Sequence, residues 1–151
     1  MDEKTLDCLG QIKDMLAQEY TISHHSICKA PDLNSRFVAA VKQCERLDEF
    51  TGTMEILLEI NRLVRENGFL HIAKLKNAFK NKIFRYMAEL LEKRTNLLRI
   101  TALLEPAFYY MNDLELIESV LIHDGIQMCV LGYTEDEMKL RLNLMLGRFS
   151  A

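Results

Sequence analysis

The sequence predicts an all-α protein, a helical bundle of about six helices built around one long amphipathic helix. Three observations lead there. Ile83, Leu90, Leu97 and Leu104 recur at every seventh position, and Ile72, Phe79, Tyr86 and Ile100 fill the companion places, a spacing that keeps one apolar stripe on one side of a helix. Only six Gly and two Pro interrupt the chain, too few for the turns of a β-sandwich. Two helix starts carry a capping residue with Glu three places on: Asn112 with Glu115, and Thr134 with Glu137.

The first expected helix covers residues 2–19. Leu6, Leu9, Ile12 and Leu16 share a face, and Asp2 and Glu3 favour its positive end. Residues 20–32 lose the pattern, run into Pro31 and read as a loop or short extended piece. A second helix is expected from Leu33 to Leu47, capped by Asp32 and burying Phe37, Val41, Cys44 and Leu47. After the turn at 51–53 a third helix reaches Glu66, with Ile56, Leu57, Ile60, Leu63 and Val64 facing inward. Asn67-Gly68 stops it, since glycine accepts the left-handed backbone of a helix end.

The fourth helix, about 70–105, is the long one and forms an antiparallel hairpin with the third. Helix propensity dips at Asn81 and at Thr95-Asn96, but the apolar register does not slip there. One continuous element of roughly 54 Å is therefore expected. Pro106 lacks a backbone donor and should end or kink it. A fifth helix begins at Asn112, buries Leu114, Ile117, Val120 and Leu121, and stops at Gly125. Residues 126–131 are apolar without period and fit a helix or a buried strand equally. The sixth starts at Thr134, buries Met138, Leu142, Met145 and Leu146, and closes at Gly147.

The 151 residues suit one helical domain over 1–151, and 49% hydrophobic residues oppose wholesale disorder. No apolar run approaches the ~20 residues of a membrane span, so no membrane is expected among the partners. The four cysteines form no CxxC pair and follow a polar N-terminus without a signal peptide. Reduced thiols and an intracellular location, cytoplasmic or nuclear, are the expectation.

Chemistry-bearing motifs are few. There is no phosphate loop, dinucleotide fingerprint or HExxH. His24, His25 and Cys28 are the one local group of metal-ligand types, short of the four that zinc takes, and His71 and His123 stand apart. Cys28 beside His24 or His25 is the one short-range thiol–base pairing. His123 precedes the expected helix stop at Gly125, where an imidazole suits the negative helix end. Neither metal, cofactor nor catalytic residue is expected.

Charge is uneven. Net charge is −3, yet residues 70–100 hold eight Lys/Arg against two Glu, and residues 101–151 hold three against eight Asp/Glu. On the long helix Lys74, Lys82, Arg85 and Arg99 fall opposite the apolar stripe, a face that a polyanion or an acidic partner could touch. Glu89 and Glu92 share that face, and Arg85–Glu89 and Glu89–Lys93 are spaced to pair, as on an ordinary solvated surface. Lys76 and Lys93 interrupt the stripe, where a polar residue can choose a partner. Phe108, Tyr109 and Tyr110 are consecutive, so at least one must face outward or meet a partner.

These features describe a non-enzymatic protein–protein interaction module, an adaptor, regulator or complex subunit docking through apolar helix faces. Its partner would be another protein or a second copy of itself. The alternative is nucleic-acid binding through the basic face of 70–105. An enzymatic pocket inside the bundle has no motif to mark it.

Overall fold

The computed structural model describes residues 3–5 and 26–148. Six α-helices follow one another in the second stretch: α1 Pro31–Gln43, α2 Thr51–Asn67, α3 Lys82–Glu92, α4 Leu97–Phe108, α5 Asp113–Leu131 and α6 Glu135–Met145. Short 3-10 turns occupy Ile27–Lys29, Leu47–Phe50 and Phe69–Leu75, and no strand occurs among the described residues. The all-α bundle stands as expected. Its axis does not. Most of the expected helix 2–19 lies outside the described residues.

The axis is α5. From Leu116 to Cys129 every side chain except Glu118 is buried, as required of a helix enclosed on all sides. Its 19 residues span about 28 Å, and α1, α2, α3, α6 and the 27–29 turn all pack on it. The expected stop at Gly125 is absent. Gly125 lies inside α5, where an added Cβ would sit 2.8 Å from Leu57 Cδ1 on α2. The glycine serves close helix packing. Residues 126–131 continue the helix, and the true end is Gly132, left-handed at φ 82°. There Tyr133 N donates to Met128 O at 3.0 Å and Gly132 N to Cys129 O at 3.3 Å, closing the last turn.

The long helix 70–105 is broken at both dips in propensity. Phe69–Leu75 is a 3-10 turn packed against α2 and α3, in place of the first turns of a hairpin helix. Asn81 then caps α3, its side-chain oxygen accepting from Ile83 N at 2.8 Å while its amide donates to Ser119 Oγ at 3.0 Å. At the second break Arg94 takes φ 60° and Thr95 N donates to Leu90 O at 3.0 Å, a helix end made without glycine. Asn96 restarts the chain by accepting from Arg99 N at 2.8 Å. Ile72, Phe79, Ile83, Leu97, Ile100 and Leu104 are still buried, Leu90 is half-buried and Tyr86 exposed. The heptad survived because each piece separately turns its apolar side inward. Periodicity cannot tell one rod from short pieces in phase; the two asparagine caps can.

Pro106 neither ends nor begins a helix, since α4 runs through it to Phe108. Ala102 and Pro106 are both exposed, so the carbonyl that loses its partner lies on the solvent side. Beyond it Arg36 of α1 donates to Phe108 O and Tyr109 O, both at 3.4 Å, and to Met111 O at 2.8 Å. A cation at the carbonyl end of α4 suits the helix dipole and ties α1 to the α4–α5 link.

Smaller differences share one cause, a boundary moved by local chemistry. Pro31 takes the first position of α1 and Asp32 sits in its first turn, so Asp32 is no cap. That helix ends at Gln43, leaving Leu47 in a 3-10 turn. Ile56 and Leu114, expected inside, are exposed. The stop at Gly68, the capping box of α6 and the buried Met138, Leu142 and Leu146 are as expected.

Candidate functional site

The outer side of α4 is the most unusual surface. Leu97, Ile100, Leu104 and Phe108 turn inward, mainly against α3 and α5. At about 100° per residue the opposite side is made by Leu98, Ala102, Leu103 and Pro106, with Arg99 among them and the half-buried Glu105 at its edge beside Leu98. Leu98 is 58% and Leu103 53% exposed. Exposed leucines of this size on the outer side of a helix are normally covered; those of α4 are not. Lys93 and Arg94 stand in the turn before it, and neither they nor Arg99 form an ion pair among the described residues. Tyr109 and Tyr110 follow it, and Tyr110 is 90% exposed.

A second apolar line runs along α6. Leu140 and Leu144 are both exposed, one turn apart, on the side opposite buried Met138 and Leu142. Asp136 and Glu137 continue that line toward the helix start. Thr134 Oγ1 accepts from Glu137 N at 3.2 Å, and Thr134 N donates to Glu137 Oε1 at 2.9 Å. These contacts hold the Glu137 carboxyl below the usual carboxylate range, so it stays charged.

The sequence-predicted residues divide between these surfaces and the interior. Tyr109 and Tyr110 are exposed as the consecutive aromatics require, while Phe108 is buried with its ring edge-on to His123 at 5.9 Å. Lys93 is exposed beside α4, but Lys76 pairs with Glu92 at 2.8 Å, so it marks a closure between the 3-10 turn and α3. Lys76 thereby draws the Glu92 carboxyl below its ordinary range. Neither Arg85–Glu89 nor Glu89–Lys93 forms an ion pair. The basic face is divided. Lys74 lies on the 69–75 turn, Lys82 and Arg85 in the first turn of α3, and Arg99 in the first turn of α4.

His24 and His25 lie outside the described residues, and no group of three potential metal ligands occurs among the described ones. Burial and then the charge of Asp124 push the Cys28 thiol up to about 12, and the pairing of Cys28 with His24 or His25 lies outside the described residues. Burial likewise lifts Cys129 to about 12.

His123 belongs to the core. It is fully buried in mid-helix, not at a helix end, which the misplaced stop at Gly125 had suggested. Its Nδ1 lies 3.0 Å from Asp124 Oδ1, and its Nε2 lies 3.2 Å from Thr101 Oγ1. A carboxylate only accepts, so Asp124 fixes the ring proton on Nδ1 and leaves Nε2 as an acceptor. Gln127 Nε2 donates to Thr101 Oγ1 at 2.8 Å, and Ser26 Oγ donates to Asp124 Oδ2 at 2.6 Å. A hydroxyl–imidazole–carboxylate series can relay a proton. Here the single Thr101 hydroxyl proton is shared between two acceptors, Leu97 O at 3.1 Å and His123 Nε2, and the adjoining cavity beside Asp124 and Gln127 holds about 10 Å³, room for about one water. The network ties α4, α5 and the 27–29 turn together. Sequence reasoning missed it because the partners are 22 to 98 positions apart.

No described helix is long and apolar enough to cross a membrane. Comparison with family models, curated proteins and solved structures finds no match to this chain.

Proposed function

We propose that this protein is a non-enzymatic interaction subunit that docks through apolar helix faces onto a second copy of itself, α4 of one copy receiving α6 of the other. The observation that carries the reading is the uncovered apolar side of α4, bordered by cations. Its complement must be a helix with leucines one turn apart and acids at one end, and α6 is such a helix. With the two helices running the same way, Asp136 and Glu137 meet Arg94 and Arg99, and Leu140 and Leu144 meet Leu98 and Leu103. The acids then also face the positive end of α4. Apolar burial supplies the attraction and the charges set the register.

Sedimentation velocity tests the proposal with two double variants, Leu98→Glu/Leu103→Glu and Leu140→Glu/Leu144→Glu. All four leucines are exposed, so the variants should fold, which circular dichroism checks. The wild type should associate, as a closed dimer or an open series according to whether the contact is reciprocated. Each variant alone should be monomeric, and their mixture should form a one-to-one dimer, because each retains one working face. A wild type that stays monomeric at high concentration, or variants that associate as it does, would overturn the reading.

A further inference from the structure

We infer that the cleft at the start of α3 binds a compact polyphosphate, a small molecule carrying two or more adjacent phosphoryl groups. The cleft has a volume of about 380 Å³ and is lined by Lys76, Asn77, Phe79, Lys80, Asn81, Lys82 and Arg85. That size lies in the range of small-ligand pockets, roughly 300–1,000 Å³. Four of the seven residues are cations and none is an acid. Lys76 alone of the four forms an ion pair, with Glu92.

The placement of these charges is unfavourable without a ligand. The positive end of a helix dipole favours Asp or Glu in the first turn. α5 and α6 follow that rule; α3, like α2 and α4, has no acid there, and it opens on Lys82 with Arg85 one turn further on. The like charges of Lys80, Lys82 and Arg85, which form no ion pair among the described residues, also repel one another. An anion with several negative oxygens removes both costs and gains charge-assisted hydrogen bonds. Asn81 already occupies the amide of Ile83, the second residue of α3, so the lysines and the guanidinium supply the binding groups and the dipole adds to them.

The walls are held in place beforehand. Asn81 is fixed to the buried Ser119, and Phe79 is buried edge-on to Phe84 at 5.0 Å. A compact ligand fits better than a nucleic-acid strand. Lys74 and Arg99 do not line the cleft, so no basic track leads away from it. Its one aromatic, Phe79, is buried and offers no face for a base, while the exposed Tyr86 is not in its wall. The chain's net charge of −3 gives no general attraction for polyanions, so binding must be local.

Titration calorimetry of the whole protein with pyrophosphate, at low and moderate salt, tests this. Pyrophosphate should bind, and the triple variant Lys80→Gln/Lys82→Gln/Arg85→Gln should bind at least tenfold more weakly at an unchanged unfolding temperature. The control Lys93→Gln/Arg94→Gln/Arg99→Gln removes the same charge elsewhere and should bind as the wild type does. Three results would overturn the inference: no binding at low salt, equal loss in both triple variants, or affinity no greater than for sulfate. Duplex DNA bound more tightly than pyrophosphate, and lost in both variants, would replace the cleft with an extended nucleic-acid surface and overturn it as well.

Discussion

Leu57 and Gly125 meet so closely that a single methyl on residue 125 would lie 2.8 Å from Leu57 Cδ1. The close approach explains a glycine in mid-helix, where it otherwise costs about 1 kcal/mol relative to Ala. In Gly125→Ala that gain in helix propensity should roughly offset the displacement of Leu57. Gly125→Val should lower stability by about 2–3 kcal/mol through overpacking. In a Leu57→Ala background the valine should cost clearly less, because the clash is gone. Equal valine penalties in both backgrounds, measured by urea unfolding, would contradict the contact.

Asp124 should be the most sensitive buried polar residue. It receives Ser26 Oγ at 2.6 Å, Ile27 N at 3.4 Å and the His123 ring at 3.0 Å. Asp124→Ala leaves several buried partners unpaired and should cost about 3 kcal/mol, whereas Ser26→Ala removes one bond and should cost about 1 kcal/mol. Hydrogen exchange of the Ile27 and Cys28 amides should quicken in both. An Asp124→Ala protein as stable as the wild type would show that the turn is held by something else.

The break between α3 and α4 can be tested by one substitution. Arg94 holds φ 60°, a region costly for a side chain with a Cβ. Arg94→Gly should therefore stabilise the protein by about 1 kcal/mol. Were residues 82–108 one helix, the same change would destabilise it by a similar amount. The sign decides.

Glu118 gives a pH dependence. Burial, then the neighbouring Glu115 charge, raises its carboxyl above the ordinary value. The folded state therefore binds the proton more tightly than the unfolded state does, and stability falls as pH rises from the unfolded value through the folded one. Glu118→Gln should raise the unfolding midpoint at neutral pH. The gain should vanish once pH drops below the unfolded carboxylate value, roughly 4.3. A gain independent of pH would mean that charge is not its cause.

How much of this was legible in the sequence depends on how local each signal is. Gly68, the Thr134–Glu137 box and most of the inward faces of α2 and α6 are decided within one or two turns and are readable, Ile56 of α2 being the exception. Asn81 and Asn96 were visible as weak points, but a continuous apolar register outweighed them. The choice between helix interior and cap depends on Ser119 and the 69–75 turn, which are remote or unpatterned. Gly125 was misread for the same reason, since a stop and a close approach look alike until Leu57 is in place. Of the residues singled out in the sequence, Tyr109 and Tyr110 are exposed, as three consecutive aromatics require, while Lys82 and Arg85 were placed on a wheel for one long helix and belong instead to the start of α3. The face of α4 was hidden because its outward leucines look like core in any apolar run.

The central position of α5 has a consequence for synthesis. A nascent chain that has reached Met111 has delivered α1 through α4 before the helix they close upon exists. The 69–75 turn can draw α2 and α3 together in the meantime, but α1 waits with Leu33 and Phe37 uncovered. The interval before Asp113–Leu131 is made is therefore the time of greatest exposure to chaperones, and slowing ribosomes just before Asp113 should increase aggregation more than slowing them after Leu131.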